Sequence, residues 1–197
     1  MKYGKVRNVI KDLLSDNWYT LSKFSFEYLR EDGVWEKQER EVYDCGDAAA
    51  ILLYNKQKQT VVLTKQFRMP VFQNETELEL GNGMMVEVCA GLLDGDTPEV
   101  CIIKEAIEET GYKIDVVTKV FESFMVPGTV MQKVHFFVGE YKEENKISAG
   151  GGADYETENI EVLEVSLEEA ISWVQNGKIK DGKTIMLLQH AQIQNLL

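Results

Sequence analysis

From Asn17 to Arg30, aromatic and polar residues roughly alternate (Trp18, Phe24, Phe26 and Tyr28 among Thr20, Ser22 and Ser25), the period-two pattern of a strand with one covered face. Asp32-Gly33 supplies a tight turn, and residues 34–44 read as the return strand. The front of the chain is thus predicted as an antiparallel hairpin behind a charged leading segment. Residues 48–54 (Ala-Ala-Ala-Ile-Leu-Leu-Tyr) and 60–67 are almost continuously apolar, as strands buried on both faces are. A short strand at 85–89, a helix at 98–110, and strands at 117–125 and 133–141 around Pro127-Gly128 follow. Residues 143–158 read as a polar loop around Gly150-Gly151-Gly152, mobile until a ligand draws it in. A strand at 160–165 comes next, then a helix opened by the Ser166/Glu169 capping box and ended by Gly177, and a last helix from about Lys183. Strands dominate and each helix follows a strand. The expected class is therefore α/β (α+β): a mixed β-sheet covered by helices on both faces.

The helix at 98–110 carries the chemistry. An Ala90-Gly91 turn is expected to lead the preceding strand towards it, Thr97 suits its N-cap, Pro98 its first turn and Gly111 its end. Val100, Ile103 and Ile107 recur at helical spacing and are expected to face a core. Glu105, Glu108 and Glu109 also share helical spacing and are expected on the opposite face. Like charges there repel, and the helix C-terminus disfavours them further. Divalent cations reverse that sign, and Mg²⁺ takes carboxylates together with phosphate oxygens.

Composition narrows the partners. The chain has 197 residues and a formal net charge of −12, enough length for one domain or one domain with a small extension. Arg7, Arg30, Arg40 and Arg68 are its only arginines, and no basic stripe appears, which argues against a nucleic-acid partner. No apolar run approaches the ~20 residues of a membrane span, and Met1-Lys2-Tyr3-Gly4-Lys5 leads into charge, so a cytoplasmic protein without a membrane partner is expected. Cys45, Cys89 and Cys101 form no CxxC pair, and Cys89 and Cys101 read as core fillers. His135, on an apolar strand, reads as a core histidine. Residues 177–184 match the P-loop pattern, but a helix precedes them where a strand is needed, so they read as a helix–helix connector.

The stretch from Ala90 to Tyr112, with Lys104-Glu105-Ala106-Ile107-Glu108-Glu109-Thr110-Gly111 at its centre, resembles the Nudix box. It departs from the family pattern in that Lys104 stands for an arginine, Ala90 for the first glycine and Asp96 for the first glutamate, while Tyr112 ends the box. Arg40-Glu41-Val42-Tyr43-Asp44, Gln66-Phe67-Arg68, Glu87 with Cys89-Ala90-Gly91-Leu92-Leu93-Asp94, Ala149 to Gly152 and Asp181-Gly182-Lys183-Thr184 extend the likeness over nearly the whole chain. They resemble the GDP-mannose pyrophosphatase subgroup of the ADP-ribose-pyrophosphatase-like Nudix hydrolases. The resemblance implies an α/β/α sandwich at 46–197 and an N-terminal β segment at 1–45 exchanged in a homodimer. It implies hydrolysis of a nucleotide sugar with Mg²⁺, or Mn²⁺ in its place; an ADP-ribose substrate and a nucleotide sensor without catalysis are the alternatives. Glu105, Glu109, the Ala90 carbonyl and Glu158 are the implied metal ligands, with Glu108 supporting them. Glu158 is the preferred loop acid over Asp154, Glu156 and Glu161. Trp18, Glu39, Arg40, Glu41, Arg68, Ala90, Gly91, Leu92, Gln132, Thr157 and Lys183 are the implied substrate contacts. Trp18 reads equally well as a dimer-core aromatic.

Overall fold

The computed structural model describes residues 4–74, 83–152 and 159–197. The elements in chain order are β1 (Val6–Asp16), β2 (Thr20–Leu29), β3 (Trp35–Asp44), β4 (Ala48–Asn55), β5 (Thr60–Phe67), α1 (Met69–Asn74), β6 (Met84–Glu87), β7 (Cys89–Leu92), α2 (Pro98–Thr110), β8 (Thr118–Phe124), β9 (Lys133–Glu140), β10 (Glu161–Ser166), α3 (Leu167–Gln175) and α4 (Gly182–Ile193). They form two compact units. One takes the described residues up to Asp47 with Phe124–Lys133; the other takes Ala48–Ser123 and Val134–Leu197.

The first unit is built on an antiparallel sheet in the order β1-β2-β3. The expected hairpin is present as β2 and β3, paired from Thr20–Asp44 to Leu29–Trp35. The leading segment, expected only as charged chain, adds the third strand. Its apolar residues, Val6, Val9, Ile10, Leu13 and Leu14, are spaced as on a helix face. Two register shifts against β2, one between Arg7 and Ile10 and one between Leu13 and Ser15, accommodate that spacing in a strand. Asn8 takes a left-handed backbone (φ 55°) at the first, which asparagine tolerates better than most residues.

The second unit is a seven-stranded mixed sheet in the order β10-β5-β4-β9-β8, with β6 added to β5 and β7 to β4. β4 runs parallel to β9 and antiparallel to β5 and β7. Apolar residues of both parities on β4 are buried. Ala49, Ile51 and Leu53 join Ile102 and Ala106 of α2 in one core cluster. The alternate residues point the other way, and α4, with buried Leu187 and Leu188, also packs on β4. α3 packs on α4 and β10. This is the expected mixed sheet with helices on both faces. α1 was not foreseen. The Ala90-Gly91 turn expected ahead of α2 is replaced by β7, paired with β4 from Ala48–Leu92 to Ile51–Cys89.

The polar loop expected at 143–158 is, over its described part, a loop docked on the end of α2. A 3₁₀ turn at Glu143–Asn145 opens it. The Asn145 carbonyl accepts from the Lys113 amide, and the Ile147 amide donates to the Gly111 carbonyl. The Gly151 and Gly152 amides then donate to the Glu109 and Glu108 carbonyls at 2.9 and 3.1 Å. The last carbonyls of a helix need donors, and this segment supplies them. A Cβ at Gly150 would stand 2.4 Å from the Glu109 carbonyl oxygen, so glycine is needed for the approach. No described helix is long and apolar enough to cross a membrane.

Candidate active site

α2 starts and stops as its sequence requires. Thr97 Oγ1 accepts from the Val100 amide, Pro98 occupies the first turn, and Gly111 ends the helix at φ 78°. Its orientation differs from the expected one. Cys101, Ile102, Ala106, Glu109 and Thr110 are buried, whereas Val100 is 44% exposed and Ile103 and Ile107 are half-buried. The helix is turned so that Glu109 enters the seam with β7. The three glutamates therefore do not share an outer face: Glu108 is exposed, Glu105 is half-buried and Glu109 is 1% exposed.

β7 receives both inner carboxylates. The Ala90 amide donates to Glu109 Oε2 at 3.2 Å. A Cβ at Gly91 would lie 2.0 Å from Glu105 Oε1, so Gly91 is there to admit the Glu105 carboxylate and not to make a turn. Cys101 Sγ donates to the Leu92 carbonyl at 3.2 Å and ties helix to strand. Both core cysteines stay protonated. Burial, then the charges of Glu109 and Glu105, push the Cys89 thiol well up; burial with Glu105, Asp96 and Asp94 pushes Cys101 to about 12. Two of the departures from the box pattern answer each other, since Lys104 pairs with Asp96.

Two predicted cations meet on a pair of acids that the sequence reading did not include among the site residues. Glu87, at the end of β6, accepts from Arg68 Nε at 2.7 Å and Nη2 at 3.2 Å, and from Lys183 Nζ at 3.3 Å. Lys183 also donates to Asp181 Oδ1 at 2.7 Å. Burial works against the Arg68 charge, but Glu87, Glu109 and Asp181 outweigh it and hold the guanidinium above its ordinary value. Lys183 is likewise raised, by Glu87 and Asp181 against burial and Arg68. The Glu109 charge therefore acts on Arg68, which links the carboxylate seam to the cations. One signal for Glu87 was present: a glutamate between Val86 and Val88 in a short apolar strand needs a cationic partner.

The remaining predicted residues divide between the first unit and the loop. Trp18 is 82% exposed between β1 and β2. On β3, Glu39 accepts from Ser25 Oγ at 3.1 Å and pairs with Lys23 at 3.6 Å, Arg40 donates to Gln38 Oε1 at 3.1 Å, and Glu41 stands opposite Lys23 in the strand register. Gln132 is half-buried ahead of β9. Asp154, Glu156, Thr157 and Glu158 lie outside the described residues. His135 is buried, its Nδ1 3.3 Å from a Glu122 oxygen, in keeping with a core histidine. Gly177 and Asp181 end α3 and cap α4, so the P-loop-like run is a connector.

Glu105 and Glu109 offer hard oxygen donors on one wall, beside a glycine that leaves room for them, and these fit a divalent cation. Among the described residues no group of three or more His, Cys, Asp or Glu side chains could hold a metal.

Comparison with known proteins agrees with this geometry. Residues 5–43 match the model of the GDP-mannose pyrophosphatase NudK N-terminal domain, and residues 46–188 match that of the NUDIX domain. A protein of Yersinia enterocolitica named GDP-mannose pyrophosphatase is 50% identical over 193 residues, 98% of each chain. A protein of the same name from Pectobacterium atrosepticum is 53% identical, over 94% of this chain and 93% of its own. One from Yersinia pestis is 51% identical, over 96% of this chain and 92% of its own. With the box helix, its glycine-bearing strand and both halves of the chain matched, the chain belongs to the Nudix family, in the branch of the GDP-mannose pyrophosphatases.

Proposed function

We propose that this chain hydrolyses the diphosphate bond of a nucleotide sugar, GDP-mannose foremost, to GMP and mannose 1-phosphate. The observation that carries the reading is the seam of Glu105 and Glu109 against β7, with Arg68 and Lys183 held together on Glu87 at the end of the neighbouring β6. Near-full-length likeness to proteins named for that activity supports it.

Glu105 and Glu109 would hold Mg²⁺, or Mn²⁺ in its place, with the Ala90 carbonyl and Glu158 completing the set. The bound metal supplies charge neutralisation for the attacking and leaving oxygens. Arg68 and Lys183 hold the diphosphate by charge-assisted hydrogen bonds. A water oxygen bonds to one phosphorus as that phosphorus parts from the bridging oxygen. Glu158, as general base, takes the water proton, and the bridging oxygen leaves on the second phosphomonoester. Glu108, exposed at the rim, supports the seam through its charge. Leu92 and Gly91 line the floor at the diphosphate.

The N-terminal segment 1–45 is assigned to a homodimer, exchanged between protomers. Val9, Ile10 and Leu13 of β1 are each more than half exposed, and a second copy would cover them. Trp18, Glu39, Arg40, Glu41, Gln132 and Thr157 would then contact base and sugar.

The test is release of phosphomonoester from a panel of GDP- and ADP-sugars with and without Mg²⁺. GDP-mannose should be the best substrate. Preference for ADP-ribose would move the assignment to the neighbouring branch, and no cleavage of any member would leave a sensor.

A further inference from the structure

Arg68 and Lys183 are like charges held close together, and the structure gives the reason they can be. Glu87 lies beneath them with its side chain 3% exposed, while those of Arg68 and Lys183 are 40% and 21% exposed. Asp181, beneath Lys183, is 10% exposed. The carboxylates are at the bottom and the cations at the surface. The bottom layer is itself fixed. Asp181 Oδ2 accepts from the Thr184 amide at 2.9 Å and from Thr184 Oγ1 at 2.6 Å. Thr184 Oγ1 in turn accepts from the Val88 amide at 2.8 Å, one residue beyond Glu87. The first turn of α4 is thereby sewn to the joint of β6 and β7, which sets Lys183 against Glu87. Within the described residues, Arg68 gives Glu87 two of its five N–H donors, and Lys183 gives Glu87 and Asp181 two of its three. Each cation keeps donors for an arriving anion.

We infer that Glu87 is a positioning residue of this site: it seats Arg68 and Lys183 side by side as a cradle for the substrate diphosphate, with Asp181 steadying Lys183 from below. The inference rests on the diphosphate substrate proposed above. It places the contribution of Glu87 in binding, since a cradle set before the reaction holds substrate and transition state alike.

The test compares Glu87→Gln and Glu87→Asp with the parent in two measurements, steady-state hydrolysis of GDP-mannose and calorimetric binding of inorganic pyrophosphate, both with Mg²⁺. A carboxamide keeps the shape but loses the charge and turns a donor towards the cations. Loss of charged hydrogen bonds of this kind should raise KM and the pyrophosphate Kd by roughly 10-fold, with kcat within about 3-fold. Glu87→Asp, which keeps the charge, should recover part of the loss. A folded Glu87→Gln with parental KM and pyrophosphate affinity overturns the inference, as does a fall in kcat at unchanged KM. Should Glu87→Gln not fold, Asp181→Asn weakens the hold on Lys183 while Glu87 keeps Arg68, and should raise KM and the pyrophosphate Kd in the same direction by a smaller factor; parental values there overturn the inference too. A parent that binds pyrophosphate, more weakly after Glu87→Gln, but cleaves no nucleotide sugar would keep the cradle and refute the proposed activity.

Discussion

Glu109 and Gly91 face each other's neighbours across the α2–β7 seam, and each gives a residue-scale test. Glu109→Gln keeps an acceptor for the Ala90 amide and removes one of two neighbouring carboxylate charges. Its thermal midpoint should stay at or above that of the parent while kcat falls by about 10²-fold or more, as for a lost transition-state charge contact. Near-parental turnover at saturating Mg²⁺ would refute the metal-ligand assignment. At Gly91, an alanine Cβ would fall 2.0 Å from Glu105 Oε1 and 2.6 Å from its Cγ. The whole Glu105 side chain must turn away to another rotamer, which its half-buried place permits, so Gly91→Ala should remain folded and still lose about 10²-fold in activity through misplacement. A variant as active as the parent would mean that the position of Glu105 is unimportant. The identities of these residues were legible in the sequence because glutamates at helical spacing in a capped helix are costly without a cation. Their orientation was not. Val100, Ile103 and Ile107 form the apolar stripe of the linear pattern, yet Ile102 and Ala106 are the ones buried, because nothing in that pattern reveals that a carboxylate, Glu109, belongs in the seam. Glu87 is legible only in part: its place between Val86 and Val88 signals a buried charge, but its partners Arg68 and Lys183, distant in sequence, do not show in the linear pattern.

At the scale of elements, α4 depends on its cap. Burial pushes the Asp181 carboxyl up, but Lys183 and the hydrogen bonds from Thr184 outweigh it and leave it below the usual aspartate value. A depressed carboxylate binds protons less readily folded than unfolded, so its stabilisation is complete above about pH 4 and is lost as pH falls through the lower folded value. Denaturation midpoints of parent and Asp181→Asn, measured from about pH 6 to about pH 3, should therefore converge on the acid side. A constant gap over that range would show that the charge of Asp181 contributes nothing to the cap. The capped helices were readable from Thr97, Ser166 and Gly111, since caps are local chemistry. β1 was not readable. Its apolar residues keep helical spacing, and only pairing with β2 through two register shifts makes a strand of them. β7 was likewise hidden, because four residues containing Ala-Gly carry no strand signal and β4 supplies the pairing.

For the whole molecule, the exposed apolar residues of β1 lead to a test of assembly. Sedimentation should give a dimer, and Ile10→Lys with Leu13→Lys should shift it towards monomer; a parent that sediments as a monomer at micromolar concentration would end the dimer proposal. If Arg40 serves the partner's site, mixing Arg40→Ala with Glu109→Gln and allowing exchange should restore activity above the sum of the two, because each mixed dimer then holds one site free of both lesions. Additive activity after demonstrated exchange would confine Arg40 to its own chain. The segment docked on the end of α2 has a different kind of consequence. The Ile160 amide donates to the Gly151 carbonyl at 3.1 Å, and Gly151 in turn donates to the Glu109 carbonyl. The approach to β10 is thereby coupled to the last turn of α2, so the Gly151, Gly152 and Ile160 amides should exchange with solvent as one unit with that turn, and a substitution that frays the end of α2 should expose all three together.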